Sequence, residues 1–111
     1  MKITICGSLP YEREVQEWHE RLAFAGHTIY CMVVLPSQKG DNKDWYTPEQ
    51  KQTLDLLHLS KIEESDAIFV VDVDRYVGES TRREIEWAYM RRKIVYYWSK
   101  GDAETLLYPR R

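Results

Sequence analysis

Short apolar runs rich in β-branched residues alternate along this chain with stretches whose apolar positions recur every three or four residues. Residues 2–6 (KITIC) predict a first strand, stopped at Gly7-Ser8. A helix over residues 10–25 follows, because Val15, Trp18, Leu22 and Ala25 fall on one face. Gly26 stands where a left-handed C-terminal cap belongs. Residues 27–35 read as a second strand, closed by Pro36, and residues 37–46 as a polar, turn-rich loop ending in Trp45 and Tyr46. Thr47-Pro48-Glu49-Gln50 predicts a helix start: Thr as N-cap, Pro at the first helical position and Gln placed for a capping box. That helix extends to Glu64, with Leu54, Leu57 and Ile62 as its apolar face. Residues 67–71 (AIFVV) form a third strand, apolar on both sides and therefore central. A loop over 72–79, a helix over 80–92, a fourth strand over 93–98 and a short helix within 101–107 complete the pattern.

Strands separated by helices imply right-handed crossovers and a parallel sheet covered on both faces. The expectation is a three-layer, flavodoxin-like α/β domain spanning residues 1–111, with four or five strands in the order 2-1-3-4(-5). In such sheets ligands bind beyond the carboxyl ends of the strands, where the strand order reverses. The loops after the first three strands are therefore the places to search.

Composition narrows the partners. With 16 basic and 18 acidic residues the net charge is −2, without the basic excess of a nucleic-acid binder. The longest apolar stretch, 29–35, is too short to cross a bilayer, and no signal-peptide pattern opens the chain. A cytoplasmic protein with neither a membrane nor a nucleic-acid polymer as partner is expected. Cys6 and Cys31 lie in apolar, strand-like runs and make neither a disulfide framework nor a zinc spacing. His19, His27 and His58 are far apart in sequence without ligand spacing, so no metal is expected; no organic cofactor is expected either. Phosphate-loop, dinucleotide, zincin and nucleophile-elbow motifs are all missing.

The most informative stretch is 66–97, DAIFVVDVDRYVGESTRREIEWAYMRRKIVYY. It sets Gly-Glu-Ser-Thr at a helix start, where free N–H groups and the positive dipole end favour an anion, and places Glu84 one turn inside. Gly78 allows close backbone approach of a ligand. Thr81, Glu84, Ala88 and Arg91 share a stripe on that helix.

GESTRREIEWA followed by KIVYY, with the opening KITICGS, resembles the nucleoside 2-deoxyribosyltransferase-like family of N-glycosidic-bond enzymes. The resemblance implies a nucleoside or nucleoside monophosphate as small-molecule partner, and Glu84, four residues before Ala88, as nucleophile. It also implies a homodimer or higher homo-oligomer. A carboxylate attacks C1′ as the base departs, and water or a second base resolves the intermediate. Near a helix N-terminus that carboxylate is expected to stay ionised. Gly7, Ser8, Gly78, Ser80 and Thr81 would hold sugar and phosphate, and Asp74 would join them. Trp45 and Tyr46, as an aromatic pair, fit stacking on a base and a subunit contact equally. Where deoxyribosyltransferases carry Asp and monophosphate hydrolases Ser, six residues before the nucleophile, this chain has Gly78. Where the transferases carry a second Asp, near the end of the second helix, it has His58, a candidate acid or base with Asp72 and Asp74, at the end of the third strand, as rivals.

Each residue has a plainer role beside the chemical one. Glu84 fits the third position of a Thr81-Arg-Arg-Glu84 capping box. Ser80 and Thr81 fit helix caps, and Arg82, Arg83, Arg91 and Arg92 fit a solvated helix face. Tyr96, Tyr97 and Trp98 fit core and interface at a sheet edge. A nucleotide-binding module without turnover and a scaffold acting through its aromatic edge are the alternatives to an enzyme.

Overall fold

The computed structural model describes residues 1–31 and 47–108. Four strands, β1 (Lys2–Cys6), β2 (Thr28–Tyr30), β3 (Ala67–Val70) and β4 (Ile94–Tyr97), pair in parallel in the order β2-β1-β3-β4. The register sets Lys2 beside Thr28, Ile3 beside Ala67, and Ala67 beside Ile94. The helices are α1 (Glu12–Phe24), α2 (Pro48–Glu64), α3 (Glu79–Met90) and α4 (Ala103–Leu107). The expected flavodoxin-like order is the observed one.

Period-two alternation in β1 builds both layers at once. Ile3 and Ile5 point toward α1 and α4 and pack with Val15, Leu22, Phe69, Val71, Ala103 and Leu106. Cys6, on the opposite side, packs with Ile62 of α2, Ala88 of α3, and Ile68 and Val70. All four residues of β3 are buried, as a strand between two neighbours and two helical layers must be. Thr4 is the polar exception inside the sheet. Its hydroxyl bonds to Ser65 Oγ, which donates to the Lys61 carbonyl at 2.7 Å. Asp66 ties the amino ends together, donating its N–H to the Lys2 carbonyl and accepting the Lys2 N–H, both at 2.8 Å.

The capping signals perform as their chemistry requires. Thr47 Oγ1 accepts the Gln50 N–H at 3.1 Å while Gln50 Oε1 accepts the Thr47 N–H at 2.9 Å, with Pro48 as first helical residue. At the end of α1, Gly26 adopts φ +97°; its N–H reaches the Ala23 carbonyl and the His27 N–H the Leu22 carbonyl, a Schellman closure.

Differences from the sequence expectation fall at boundaries. The first helix opens with a 3-10 turn over Leu9–Tyr11. The second strand is described only over Thr28–Tyr30; residues 32–35 and the 37–46 loop lie outside the described residues. Leu57, assigned to the apolar face of its helix, is 55% exposed, whereas Ile62 is buried. The third helix begins at Glu79 with Gly78 as its N-cap, so Thr81 occupies the third helical position. A Thr81–Glu84 capping box is thereby excluded. Among the described residues, no helix is long and apolar enough to cross a membrane.

Candidate active site

The chain leaves β1, crosses to β2 on one side and returns through α2 to β3 on the other, so the strand order reverses between β1 and β3. Cys6 is the last residue of β1, at that switch point. Gly7 follows because a Cβ there would stand 2.8 Å from Val15 Cγ2; α1 packs too closely for a side chain. Ser8 Oγ accepts the Gly78 N–H at 3.3 Å and joins the loop after β1 to the start of α3. A Cβ on Gly78 would meet that same Oγ at 2.9 Å, so the missing side chain at position 78 is what permits the junction. The Tyr11 and Tyr76 rings, 6.0 Å apart and tilted by 57°, flank it.

Beneath this junction three reactive side chains converge. His58 of α2 brings Nε2 to 3.5 Å from Glu84 Oε1 on α3 and to 3.8 Å from Cys6 Sγ. The His58 and Glu84 side chains each retain 13% exposure, so the pair is sheltered yet open on one side. Burial decides the protonation states. It pushes the Glu84 carboxyl from its ordinary 4.5 up to about 8, with the Asp55 charge adding to the effect and Lys51 opposing it. It pushes His58 from 6.5 down to about 4, with Lys61 in the same direction and Asp55 opposing. Cys6, fully buried beside Glu84, is held well above the usual thiol range. At neutral pH the 3.5 Å contact therefore joins a neutral imidazole to a protonated carboxyl and is not an ion pair. The expectation of an ionised Glu84 is corrected: the residue sits in the second turn of α3, where desolvation outweighs the helix dipole, whose influence fades beyond the first turn.

The other residues singled out in the sequence separate into groups. Thr81 is buried on α3 and Ser80 is exposed in its first turn. Asp72 is buried, but both its oxygens are engaged: Oδ1 accepts the Ser99 N–H at 2.8 Å and Oδ2 the Ser99 hydroxyl at 2.6 Å. It therefore fastens the end of β3 to the turn after β4. Asp74 is exposed and, with Arg75, takes positive φ (55° and 60°), a strained pair in the loop leading to Gly78. Trp45 and Tyr46 lie outside the described residues. Arg82, Arg83, Arg91 and Arg92 are exposed as a solvated face, with Arg83 on Glu79 and Arg91 on Glu63. Tyr96 and Tyr97 are half-buried along β4, and Trp98 is 38% exposed beyond it.

Sequence reasoning found Glu84 and His58 but missed Cys6, which reads as one more apolar strand residue. The available signal was its place, last in the first strand and directly before the glycine turn. A separate cavity of about 540 Å³, lined by Met1, His27, Tyr96, Leu106 and Tyr108 among others, lies at the amino ends of β1 and β2, away from this cluster. There His27 bridges the Met1 amine (3.2 Å) and the Leu106 carbonyl (2.7 Å).

No protein-family model and no curated protein matches the chain. Solved structures do. A CMP N-glycosidase from Clostridium botulinum, BcmB, aligns over 87% of this chain and 70% of its own, at 18% identity and a TM-score of 0.57. A 2-deoxyribosyltransferase from Bacillus psychrosaccharolyticus aligns over 87% and 71%, at 20% identity and a TM-score of 0.64. The chain thus has the nucleoside 2-deoxyribosyltransferase-like fold, as the resemblance implied.

Proposed function

We propose that the protein is an enzyme that cleaves the N-glycosidic bond of a nucleoside or nucleoside monophosphate, with Glu84 as nucleophile and His58 as the group that moves the proton. The carrying observation is the sheltered Glu84–His58 contact of 3.5 Å at the switch point of the sheet. The two solved proteins of the same fold, named for N-glycosidase and deoxyribosyltransferase activity, support the substrate class.

The pair holds one proton, and the reaction needs it moved. Transfer from Glu84 to His58 leaves a carboxylate and an imidazolium. The carboxylate attacks C1′, the C1′–N bond breaks, and its electron pair goes to the base nitrogen, which takes the proton from the imidazolium. Positive charge developing on the sugar ring favours the carboxylate at that moment. Water then attacks C1′ and gives a proton to His58, and the Glu84–sugar ester bond breaks; a second base can replace the water. Ser8, Gly78 and Thr81 would contact the sugar, and Asp74 and Ser80 a phosphate or the solvent side of the ligand. Exposed Tyr89, Met90 and Ile94 give an apolar surface on which we place assembly into a homodimer or larger homo-oligomer.

The test is release of free base from deoxynucleosides, ribonucleosides and their monophosphates, read by chromatography. Glu84→Gln is expected to lower the rate by roughly 10³-fold or more. His58→Gln is expected to cost about 10²–10⁴-fold, and least with a substrate whose leaving group needs no proton. Base release that persists in Glu84→Gln would exclude the nucleophile. Tight nucleotide binding without release would make the protein a binding module instead.

A further inference from the structure

Cys6, His58 and Glu84 come from three separate elements, β1, α2 and α3, and their donor atoms all lie within 4.8 Å of one another. Both Cys6 Sγ and Glu84 Oε1 approach the same ring nitrogen, Nε2, at 3.8 and 3.5 Å. A thiol–imidazole–carboxylate relay would use opposite ring nitrogens. Convergence on one point is instead what ligation of a single ion requires.

The distances fit a particular ion. A tetrahedral zinc takes thiolate sulfur at about 2.3 Å, imidazole nitrogen at about 2.0–2.1 Å and carboxylate oxygen at about 2.0–2.2 Å, which spaces sulfur from nitrogen by about 3.6 Å and nitrogen from oxygen by about 3.4 Å. The two observed edges exceed these by only a few tenths of an ångström. The third is no wider than 4.8 Å, within reach of a rotation of the Glu84 side chain. One sulfur, one imidazole nitrogen and one carboxylate oxygen suit zinc and are wrong for calcium or magnesium, which want a shell of oxygens. Cys6 is fully buried, while the His58 and Glu84 side chains each keep 13% exposure, so the cluster is not wholly closed to solvent.

We propose that Cys6, His58 and Glu84 form a three-ligand site for a zinc-class divalent cation. The inference stands on ligand geometry and not on the glycosidic reaction. Zinc held there takes the carboxylate oxygen that the reaction needs, so metal occupancy and attack at C1′ exclude each other.

Cobalt(II), a spectroscopic substitute for zinc, is titrated into the full chain after treatment with a chelator. The expected result is saturation at one ion per chain, with a thiolate-to-cobalt charge-transfer band in the near ultraviolet that added zinc removes. Cys6→Ser should abolish the band and Cys31→Ser should keep it. Because Cys6 is fully buried, His58→Gln is titrated alongside; it leaves the thiol in place and should weaken cobalt binding at least tenfold. Absence of the band in the parent protein, or a band that Cys6→Ser and His58→Gln both leave unchanged, overturns the site. Cobalt bound as expected in a protein that releases no base keeps the metal site and removes the glycosidase reading. Base release without the band does the reverse.

Discussion

The two faces of the sheet are built from the same four strands and do different work. Toward α1 and α4, Ile3, Ile5, Val15, Leu22, Phe69 and Val71 close into one apolar layer, with the Trp18 ring 5.3 Å from that of Phe69. Toward α2 and α3, fewer apolar residues are buried, and polar groups stand among them: Thr4 and Ser65 in a hydrogen-bonded pair, then Cys6, His58 and Glu84. The first face supplies stability by burial. The second gives some of it up, because an acid and an imidazole placed out of water lose hydration that a single 3.5 Å contact does not replace. The proposed chemistry lies on the face with the smaller set of buried apolar residues.

Truncation on the sealed face breaks the comparison most severely. Phe69→Ala should cost about 3–5 kcal/mol, because a central-strand aromatic packed against Trp18 leaves a cavity that rigid neighbours cannot fill. Denaturant unfolding measures it; a loss below about 1 kcal/mol would mean that this layer does not carry the stability assigned to it.

The reactive face should declare itself through pH. Glu84 holds a proton in the folded protein up to about 8, whereas the unfolded chain loses it near 4.5, so stability falls as pH rises between those values. His58 acts oppositely: folded it loses its proton near 4, unfolded near 6.5, so stability rises with pH over that range. The two contributions offset each other between 4.5 and 6.5. From 6.5 to 8 only the Glu84 contribution remains, and 1.5 pH units at about 1.4 kcal/mol each make a loss of about 2 kcal/mol. Melting temperatures across pH 5–8.5 should show a plateau followed by a decline, and Glu84→Gln should flatten the decline while it removes activity. A decline of the same size in Glu84→Gln would place its cause elsewhere.

The smallest expected effect lies at a helix start. Thr47→Ala removes one half of the capping box and should cost about 1 kcal/mol, read as a shift in the unfolding midpoint without change in slope. Base release should be unaffected in rate.

How far the chain could be read in advance differs between these regions for a physical reason. The capping box at Thr47–Gln50, the Gly26 closure, the central position of β3 and the strand order follow from local propensity and from the handedness of crossovers, both of which are present in short stretches of residues. The start of α3 was displaced because Gly78, with no side chain to announce a cap, is fixed by Ser8, seventy residues earlier in the chain. Asp72 is likewise engaged from a distance, by Ser99, twenty-seven residues later in the chain, a contact that no local pattern announces.

The sequence by itself determined the layers, the strand order and the presence of an acid in the third helix, since each is written in periodicity, in the handedness of crossovers or in residues a few positions apart. The tertiary structure alone decided that this acid is protonated at neutral pH, that an imidazole from another helix faces it, and that a strand thiol completes the cluster. Proton affinity and ligand geometry depend on which groups share a space without water. That is a property of the folded arrangement, which no interval along the chain encodes.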